Sequence, residues 1–99
     1  MTPRKNKNGW RGFLKLCAEV KSPEEIAQLF DLFFTIEEKE TLASRFLIIK
    51  ELLEGNLPQR DIAELHKVSI AQITRGSNAL KIIPSKLKTA LKGHMGSDD

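Results

Sequence analysis

Apolar residues recur along most of the chain with the 3.6-residue period of an α-helix. The first stripe runs from Trp10 to Val20, after a polar start. The longest stripe comprises Leu42, Phe46, Ile49 and Leu53. Residues at this spacing lie on one face of a helix, so the pattern predicts an all-α chain with helices that bury one face each.

Capping signals divide the first half of the chain into helices. Ser22 followed by Pro23 combines an N-cap hydroxyl with a proline at the first helical position, which predicts a second helix to about Phe33. Thr35 is a second N-cap, and Gly55 is a natural residue just after a helix end. The sequence therefore predicts a long third helix between Thr35 and Gly55.

Three shorter helices follow Pro58. The segment 59–66 is amphipathic and predicts a fourth helix with Ile62, Ala63 and Leu65 turned inward. Ser69 and Gln72 form a Ser-x-x-Gln capping box, which predicts a fifth helix to about Lys81. Pro84 and Ser85 open a sixth helix that carries lysines. The expected architecture is a six-helix subunit.

The fourth and fifth predicted helices have the spacing of a helix-turn-helix between about residues 59 and 81. The small Ala63 permits close crossing, and Ile62, Val68 and Ile73 would hold the two helices together. Lys67 stands where such turns need a left-handed residue, at a cost of about 1 kcal/mol for a side chain other than glycine. The alternative from these residues alone is a helical hairpin without a DNA partner.

The length of 99 residues predicts one domain at most. We expect a flexible basic arm over 1–8, a single helical DNA-binding domain over 9–92 and a disordered tail over 93–99. A lone domain of this size buries a modest share of its surface, so a partner subunit would help to stabilise it.

Charge divides the chain into three blocks. Residues 1–15 carry five Lys or Arg and no acid, residues 19–54 carry four basic and nine acidic side chains, and residues 56–97 carry seven basic and two acidic ones. Basic ends attract a phosphate backbone, while the acidic middle is free to form a core or a dimer interface. The alternative is an ordinary solvated surface.

Several classes of function find no support in the sequence. No window approaches the roughly 20 apolar residues of a membrane span, and the start lacks a secretory signal, which predicts a cytoplasmic protein without a membrane partner. Cys17 is the only cysteine, so no disulfide within the chain and no metal site are expected. No nucleophile with a base and no phosphate-binding glycine loop is evident, so we expect no enzyme.

Residues 70–81, IAQITRGSNALK, resemble the recognition helix of the tryptophan repressor family. The similarity extends over about residues 29–88. It is supported upstream by 32–35, Ser44, Arg45, 51–55, Gln59 and Arg60. The resemblance implies an intertwined homodimer that binds L-tryptophan as corepressor, with no other cofactor, and then binds a palindromic operator controlling genes of tryptophan biosynthesis or uptake.

The resemblance also implies a ligand site. Arg45 and Arg75 match the arginines that sandwich the indole ring, a role that suits flat guanidinium groups. Arg75 would also hold the carboxylate with help from the Thr35 hydroxyl, and the backbone oxygens of Leu32 and Phe34 would receive the amino group. The other matched positions are Gln72, Gly76 and Ala79. The plainer alternatives are an ion pair for Arg45, a phosphate contact for Arg75, a simple N-cap for Thr35 and core positions for Leu32 and Phe34.

The family's DNA contacts match a second set of residues, in which Arg60 suits a bidentate guanine contact and Lys67 a phosphate. The matched positions are Gln59, Arg60, Lys67, Ile70, Ala71, Gln72, Thr74, Asn78 and Lys81.

The chain departs from the family's pattern close to the ligand. Ala79 stands where the family commonly has a serine, and Gln72 where it has a threonine. Loss of one hydrogen bond predicts several-fold weaker ligand binding. Two alternatives therefore remain at this point: a helix-turn-helix protein that binds DNA constitutively or answers another ligand, and a helical interaction module without DNA.

Overall fold

A computed structural model describes the backbone of residues 4–95 and the side chains of residues 6–95. The described part contains six α-helices and no strand, as the apolar period predicted. The helices are α1 (Arg4–Glu19), α2 (Pro23–Phe33), α3 (Ile36–Glu54), α4 (Gln59–His66), α5 (Ile70–Ile82) and α6 (Ser85–Met95).

Local capping explains where most of these helices begin and end. The Ser22 hydroxyl accepts a hydrogen bond from the Glu25 backbone N–H at 3.1 Å, and Pro23 is the first residue of α2. Gly55, with φ of +70°, follows the end of α3, and its N–H donates to the Glu51 carbonyl. These ends were predicted because capping depends on near neighbours in sequence.

The structure differs from the sequence-based expectation at both termini. Helix α1 begins at Arg4, so residues 4–8 of the expected flexible arm are helical. Helix α6 runs to Met95, so residues 93–95 of the expected tail are helical, and Met95 is buried. Residues 96–99 of that tail and residues 1–3 of the arm lie outside the described part.

The chain divides into two compact units between Ile36 and Glu37. In the first unit the aromatic ring of Phe13 on α1 contacts rings on α2 and at its end, with centroids 5.4 Å from Phe33, 6.0 Å from Phe34 and 6.1 Å from Phe30. None of the described side chains of this unit is fully buried. An aromatic cluster therefore holds α1 and α2 together without a closed core.

The second unit has a closed apolar core. Ile48 of α3, Ile62 of α4 and Ile73 of α5 are 2%, 0% and 0% exposed. The side chains packed around them are Leu52, Leu57, Ala63 and Val68. The contacts predicted for Ile62, Val68 and Ile73 are thereby confirmed, and Ile48 of α3 completes the cluster.

One prediction of which side chain turns inward is wrong, because Leu65 was expected inside but is 60% exposed. The apolar stripe predicted on α3 is only partly covered within one chain, with Leu42 and Phe46 46% and 51% exposed. Helix α3 is apolar on more than one side, so its period alone could not select the face that packs on α4 and α5. In this chain that face contains Ile48.

Candidate functional site

Helices α4 and α5 are joined by a tight turn over residues 67–69. Lys67 has φ of 55° and ψ of 47°, the left-handed conformation that its position predicted. The next N–H, of Val68, donates to the Ala63 carbonyl at 3.1 Å and closes the end of α4. Lys67 is the only residue other than glycine with a positive φ in the described part of the chain.

A complete capping box fixes the start of α5. The Gln72 backbone N–H donates to the Ser69 hydroxyl at 3.2 Å, and the Ser69 N–H donates to the Gln72 side-chain oxygen at 3.0 Å. The Gln72 N–H also donates to the Ser69 carbonyl at 3.1 Å, whereas the Ser69 N–H lies before the helix and has no partner within it. The start of α5 is therefore held by its own sequence.

A contact between α3 and α4 restrains the other side of the turn. The His66 Nε2 atom, in the last residue of α4, lies 2.9 Å from a carboxylate oxygen of Glu51 on α3. The two side chains are 16% and 19% exposed, so this hydrogen bond is shielded from most solvent. Together with the apolar core, the His66–Glu51 contact sets the position of α4 against α3.

Five of the six α5 residues proposed for DNA, all except Gln72, share one exposed side of the helix. At about 100° per residue these five fall within roughly 100° of arc, and Ile73 and Gly76 fall outside it, facing α3. The exposed members are Ile70, Ala71, Thr74, Asn78 and Lys81. We name these five residues the α5 outer face.

Three further candidates for DNA contact lie on α4 and the turn. Gln59 and Arg60 are the first two residues of α4, and Lys67 is in the turn; all three are exposed. Gln72, expected in both the ligand and the DNA sets, is half-buried, and its side-chain oxygen accepts the Ser69 N–H. Its structural role in the capping box was also predicted.

A cleft of about 210 Å³ lies between α3 and α5 within the second unit. It brings together four of the eight residues expected at the ligand. The cleft is lined by Arg45, Ile49, Arg75, Gly76 and Ala79. Two guanidinium-bearing residues thus share a small cavity with apolar walls and without an acidic side chain. Ile49 had been assigned only to the apolar stripe of α3, and nothing in its spacing marks it as a ligand contact.

Gly76 lies where α5 closely approaches α3. A Cβ atom placed on Gly76 would lie 3.1 Å from Cγ2 of Ile48 and 3.4 Å from methyl carbons of Ile49 and Leu52. The first distance is tighter than most Cβ contacts, so a side chain at position 76 would require Ile48 to shift by a few tenths of an ångström. Glycine therefore suits the close approach of α5 to α3 at this point.

Of the other four ligand candidates, Gln72 lies on α5 outside the cleft lining, and the remaining three belong to the first unit. Leu32 on α2 is 75% exposed, Phe34 follows the end of α2 and is half-buried, and Thr35 is exposed. The backbone N–H of Phe34 donates to the Phe30 carbonyl at 2.8 Å. The assignment of these three residues to a ligand remains a prediction.

Among the described helices, none is long and apolar enough to cross a membrane. Within residues 4–95 no group of three or more histidine, cysteine, aspartate or glutamate side chains could hold a metal ion.

The described part of the chain is all-α, and two of its short helices are joined by a tight turn beside a cleft. Arg60, Lys67 and Lys81 are exposed on these helices and the turn. These features define the architectural class of the small helical transcription regulators. Sequence comparison identifies the family within that class. The family described as "Trp repressor protein" matches residues 8–95. The chain belongs to the Trp repressor family, which consists of regulators of transcription.

Relatives from two bacterial genera support this assignment. The chain is 54% identical to a Trp operon repressor homolog of Chlamydia caviae over 93% of this chain and 91% of the relative. It is 49% identical to a homolog of the same name from Chlamydia trachomatis serovar D, over 86% and 90% of the two chains. A Trp operon repressor homolog of Vibrio cholerae is 40% identical over 83% and 80%.

Proposed function

We propose that this chain acts in the cytoplasm as a homodimeric repressor that binds L-tryptophan as corepressor and then a palindromic operator of genes for tryptophan biosynthesis or uptake. The observation that carries the proposal is the cleft in which Arg45 and Arg75 meet beside the α5 outer face. The names of the relatives support the same function, since each is a Trp operon repressor homolog.

The lining of the cleft suits an aromatic carboxylate. Guanidinium groups stack on aromatic rings and form bidentate hydrogen bonds with carboxylates, so Arg45 and Arg75 can serve both parts of such a ligand. Ile49, Gly76 and Ala79 provide apolar contacts. A volume of about 210 Å³ is below the roughly 300–1,000 Å³ of sites for drug-sized molecules and selects a small ligand.

The position of Arg75 offers a route from ligand to DNA. Along α5 it lies one residue after Thr74 of the outer face and one residue before Gly76, which packs on α3. A ligand that orders Arg75 and fills the cleft would fix the tilt of α5 against α3. Because coupling is reciprocal, operator DNA would then raise the affinity for L-tryptophan by the same factor.

The proposed DNA contacts come from the exposed residues of α4, the turn and α5. Arg60 would reach a guanine, and Lys67, Asn78 and Lys81 would reach phosphates. Methyl groups on Ile70, Ala71 and Thr74 can meet thymine methyl groups in the major groove. Gln59 and the free amide nitrogen of Gln72 complete the proposed set.

Exposed apolar residues support the homodimer. Ile36, Leu42 and Phe46 along α3 are 71%, 46% and 51% exposed. Large exposed apolar patches are rare on soluble monomers, so this exposure favours a partner that covers these side chains. Leu32 and Phe33 of α2 are 75% and 50% exposed. A second copy covering these side chains would also supply the two-fold symmetry that a palindromic operator requires.

The amino group of the ligand needs hydrogen-bond acceptors from outside the lining of the cleft. None of the side chains that line the cleft carries a hydrogen-bond acceptor for it, and Ala79 is the clearest case. We propose that the backbone oxygens of Leu32 and Phe34 accept it and that Thr35 contacts the carboxylate. The last carbonyls of a helix such as α2 lack partners within the helix, so acceptors are available there.

The same feature favours a second candidate function, a repressor that answers an aromatic acid without an amino group. Because Ala79 offers no hydrogen bond to an amino group, a ligand that lacks this group should bind the cleft almost as tightly. A repressor that binds DNA without any ligand is the remaining form of this alternative.

Calorimetric titration of the purified protein tests the proposal. L-tryptophan is compared with indole-3-propionate, which lacks the amino group, and with tryptamine, which lacks the carboxylate. We expect saturable binding of L-tryptophan at about one molecule per chain and no binding of tryptamine. Binding of indole-3-propionate alone would establish the second candidate function, and silence with all three would reject the assigned site.

Two variants sharpen the titration. Arg75→Ala should abolish both ligand binding and the response of DNA binding to ligand, whereas Lys88→Ala on α6 should only lower DNA affinity slightly. Ala79→Ser should strengthen L-tryptophan binding several-fold, the worth of one hydrogen bond, and leave indole-3-propionate unchanged. Equal, mild losses from Arg75→Ala and Lys88→Ala would contradict the site.

A further inference from the structure

Helix α1 carries a basic stripe that the proposed function does not use. Lys7, Arg11 and Lys15 recur at four-residue intervals, and all three side chains are exposed. At about 100° per residue they lie within roughly 80° of arc and span about 12 Å along the helix axis. We name Lys7, Arg11 and Lys15 the α1 basic stripe.

No residue in the described part of the chain neutralises the charges of the α1 basic stripe. None of the three forms a hydrogen bond or an ion pair with a residue that the structure describes. The sequence contains no acidic residue before Glu19. The stripe is therefore a patch of uncompensated positive charge on a rigid element.

The opposite face of α1 is occupied by packing. Phe13 lies about 160° around the helix from the centre of the stripe. Its ring contacts those of Phe30 and Phe33 on α2, with centroids 6.1 and 5.4 Å away. Within the first unit, the stripe therefore points away from the aromatic cluster and is presented to solvent.

The stripe does not serve the stability of α1. The first turn of the helix contains no acid, and a cation there, such as Lys7 of the stripe, opposes the helix dipole. Gly9 and Gly12 weaken the same helix relative to alanine. Several residues of α1 therefore disfavour helix formation, which points to a function for them other than stabilising the helix.

We propose that the α1 basic stripe is a second DNA-binding surface, which contacts backbone phosphates without reading sequence. The inference rests on the proposed function, because it assumes that the protein binds duplex DNA. A span of about 12 Å matches three to four phosphates of one strand at 3.4 Å of rise each. The stripe adds affinity and salt dependence, whereas α4 and α5 select the site.

An anionic membrane is the other partner that a basic helix fits, and the structure favours DNA. A helix that lies on a membrane inserts its apolar face between lipids. In α1 that face is already in contact with α2 through Phe13, although Trp10 remains 60% exposed. A membrane would have to displace the aromatic cluster, while DNA requires only the opposite, unoccupied face.

The test uses a mixed-sequence 40-base-pair duplex, because phosphate contacts do not depend on an operator. A triple variant, Lys7→Gln, Arg11→Gln and Lys15→Gln, is compared with the unaltered chain by fluorescence anisotropy between 50 and 200 mM salt. Each lost phosphate contact lowers the slope of log K against log salt by about 0.9. We expect the slope of the triple variant to be smaller in magnitude by about 2.7 or more. The ratio of the unaltered chain's affinity to that of the triple variant should therefore fall roughly 40-fold between 50 and 200 mM salt.

Two further variants control for charge and folding. Lys21→Gln removes an exposed cation that lies beyond the end of α1, and its slope should remain unchanged. Ala18→Lys places a fourth cation in line with the stripe, at an exposed position, and should raise both affinity and slope. A gain of binding cannot result from failure to fold, so Ala18→Lys tests the inference even if the triple variant is unstable.

The outcomes distinguish failure of the α1 basic stripe from failure of the proposed DNA-binding function. Unchanged slopes in the triple variant and in Ala18→Lys, while the unaltered chain binds the duplex, would overturn the stripe alone. Absence of any DNA binding by the unaltered chain, with and without L-tryptophan, would overturn both. Binding to phosphatidylserine vesicles that falls in the triple variant while DNA binding is unaffected would assign the stripe to a membrane.

Discussion

The α4–α5 segment and the first unit are stabilised in different ways. Ile62 and Ile73, one on each helix, are fully buried, and a complete capping box starts α5. The first unit has no fully buried side chain among those described, and Leu32 and Phe33 on α2 are 75% and 50% exposed. The α4–α5 segment therefore contributes fully buried side chains to a core within one chain, although its Leu65 and Ile82 are exposed. The first unit has no such core among its described side chains.

This difference indicates which parts of the molecule depend on a second copy. The α4–α5 segment has its core, turn and caps satisfied by nearby residues, so one chain can form it. The first unit and the exposed side of α3 present apolar surface that only a partner would cover. The account therefore predicts a dimer that holds two independently formed DNA-binding segments.

The largest expected effect is the loss of the dimer. Phe46→Glu places a charge on the exposed side of α3, where burial of an unpaired charge in an interface is prohibitive. We expect the mass in sedimentation equilibrium to fall to that of a single chain. Leu65→Glu alters a comparably exposed apolar residue of α4 and should leave the mass unchanged. If both variants had the same mass, the claim that α3 but not α4 lies in the dimer interface would be contradicted.

The second-largest effect should come from truncation of a core side chain. Ile73→Ala removes a side chain that is 0% exposed and should lower the free energy of unfolding by about 2–5 kcal/mol in urea titrations at fixed protein concentration. Leu32→Ala, at a residue 75% exposed in one chain, would cost under about 0.5 kcal/mol in a monomer. A cost above about 1 kcal/mol at Leu32 would show that a partner covers it.

The two N-caps allow a closer comparison of the regions. Ser69→Ala removes a hydroxyl that accepts a hydrogen bond from the Gln72 N–H and donates a longer one to the Gln72 side-chain oxygen, whereas Ser22→Ala removes a hydroxyl that accepts only from the Glu25 N–H. Each should cost about 0.5–2 kcal/mol, with the larger loss at Ser69. Thermal unfolding followed by circular dichroism checks the order, and a larger loss at Ser22 would contradict it.

The smallest effect should come from the turn. Lys67→Gly relieves the left-handed conformation at φ of 55° and should stabilise the protein by up to about 1 kcal/mol, after the added chain entropy of glycine is subtracted. The same change removes a proposed phosphate contact, so DNA affinity should fall while the melting temperature rises. Lys67→Gly that changes both quantities in one direction would contradict one of these two roles.

The sequence anticipated what depends on near neighbours. Ser22, Ser69 and Gly55 mark helix ends through hydrogen bonds or backbone angles set within a few residues, and Lys67 occupies the one position where the turn demands a left-handed angle. The order and class of the helices followed from the same signals together with the apolar period.

Features set by tertiary packing were not anticipated. Helix α3 offers several apolar sides, and only contact with α4 and α5 shows that Ile48 turns inward while Phe46 does not. The His66–Glu51 hydrogen bond joins residues that are 15 apart in sequence. The polar, basic start of α1 carries no apolar period, so residues 4–8 were expected in an arm rather than in a helix.

The candidate site was anticipated in part, through resemblance. Arg45, Arg75, Gly76 and Ala79 were matched to the family's ligand positions, and the structure gathers them around one cleft with Ile49. The close approach of Gly76 to α3 involves the Ile48 side chain, which no local pattern identifies. Ligand binding by these residues stays a prediction.

Selection of binding sites from random-sequence duplex DNA, with and without L-tryptophan, tests the central claim most directly. The account predicts that a palindromic sequence is enriched only when L-tryptophan is present, and that Arg75→Ala abolishes the enrichment. Equal enrichment in both conditions would show a repressor that does not depend on the ligand. Absence of any enriched sequence would contradict operator binding itself.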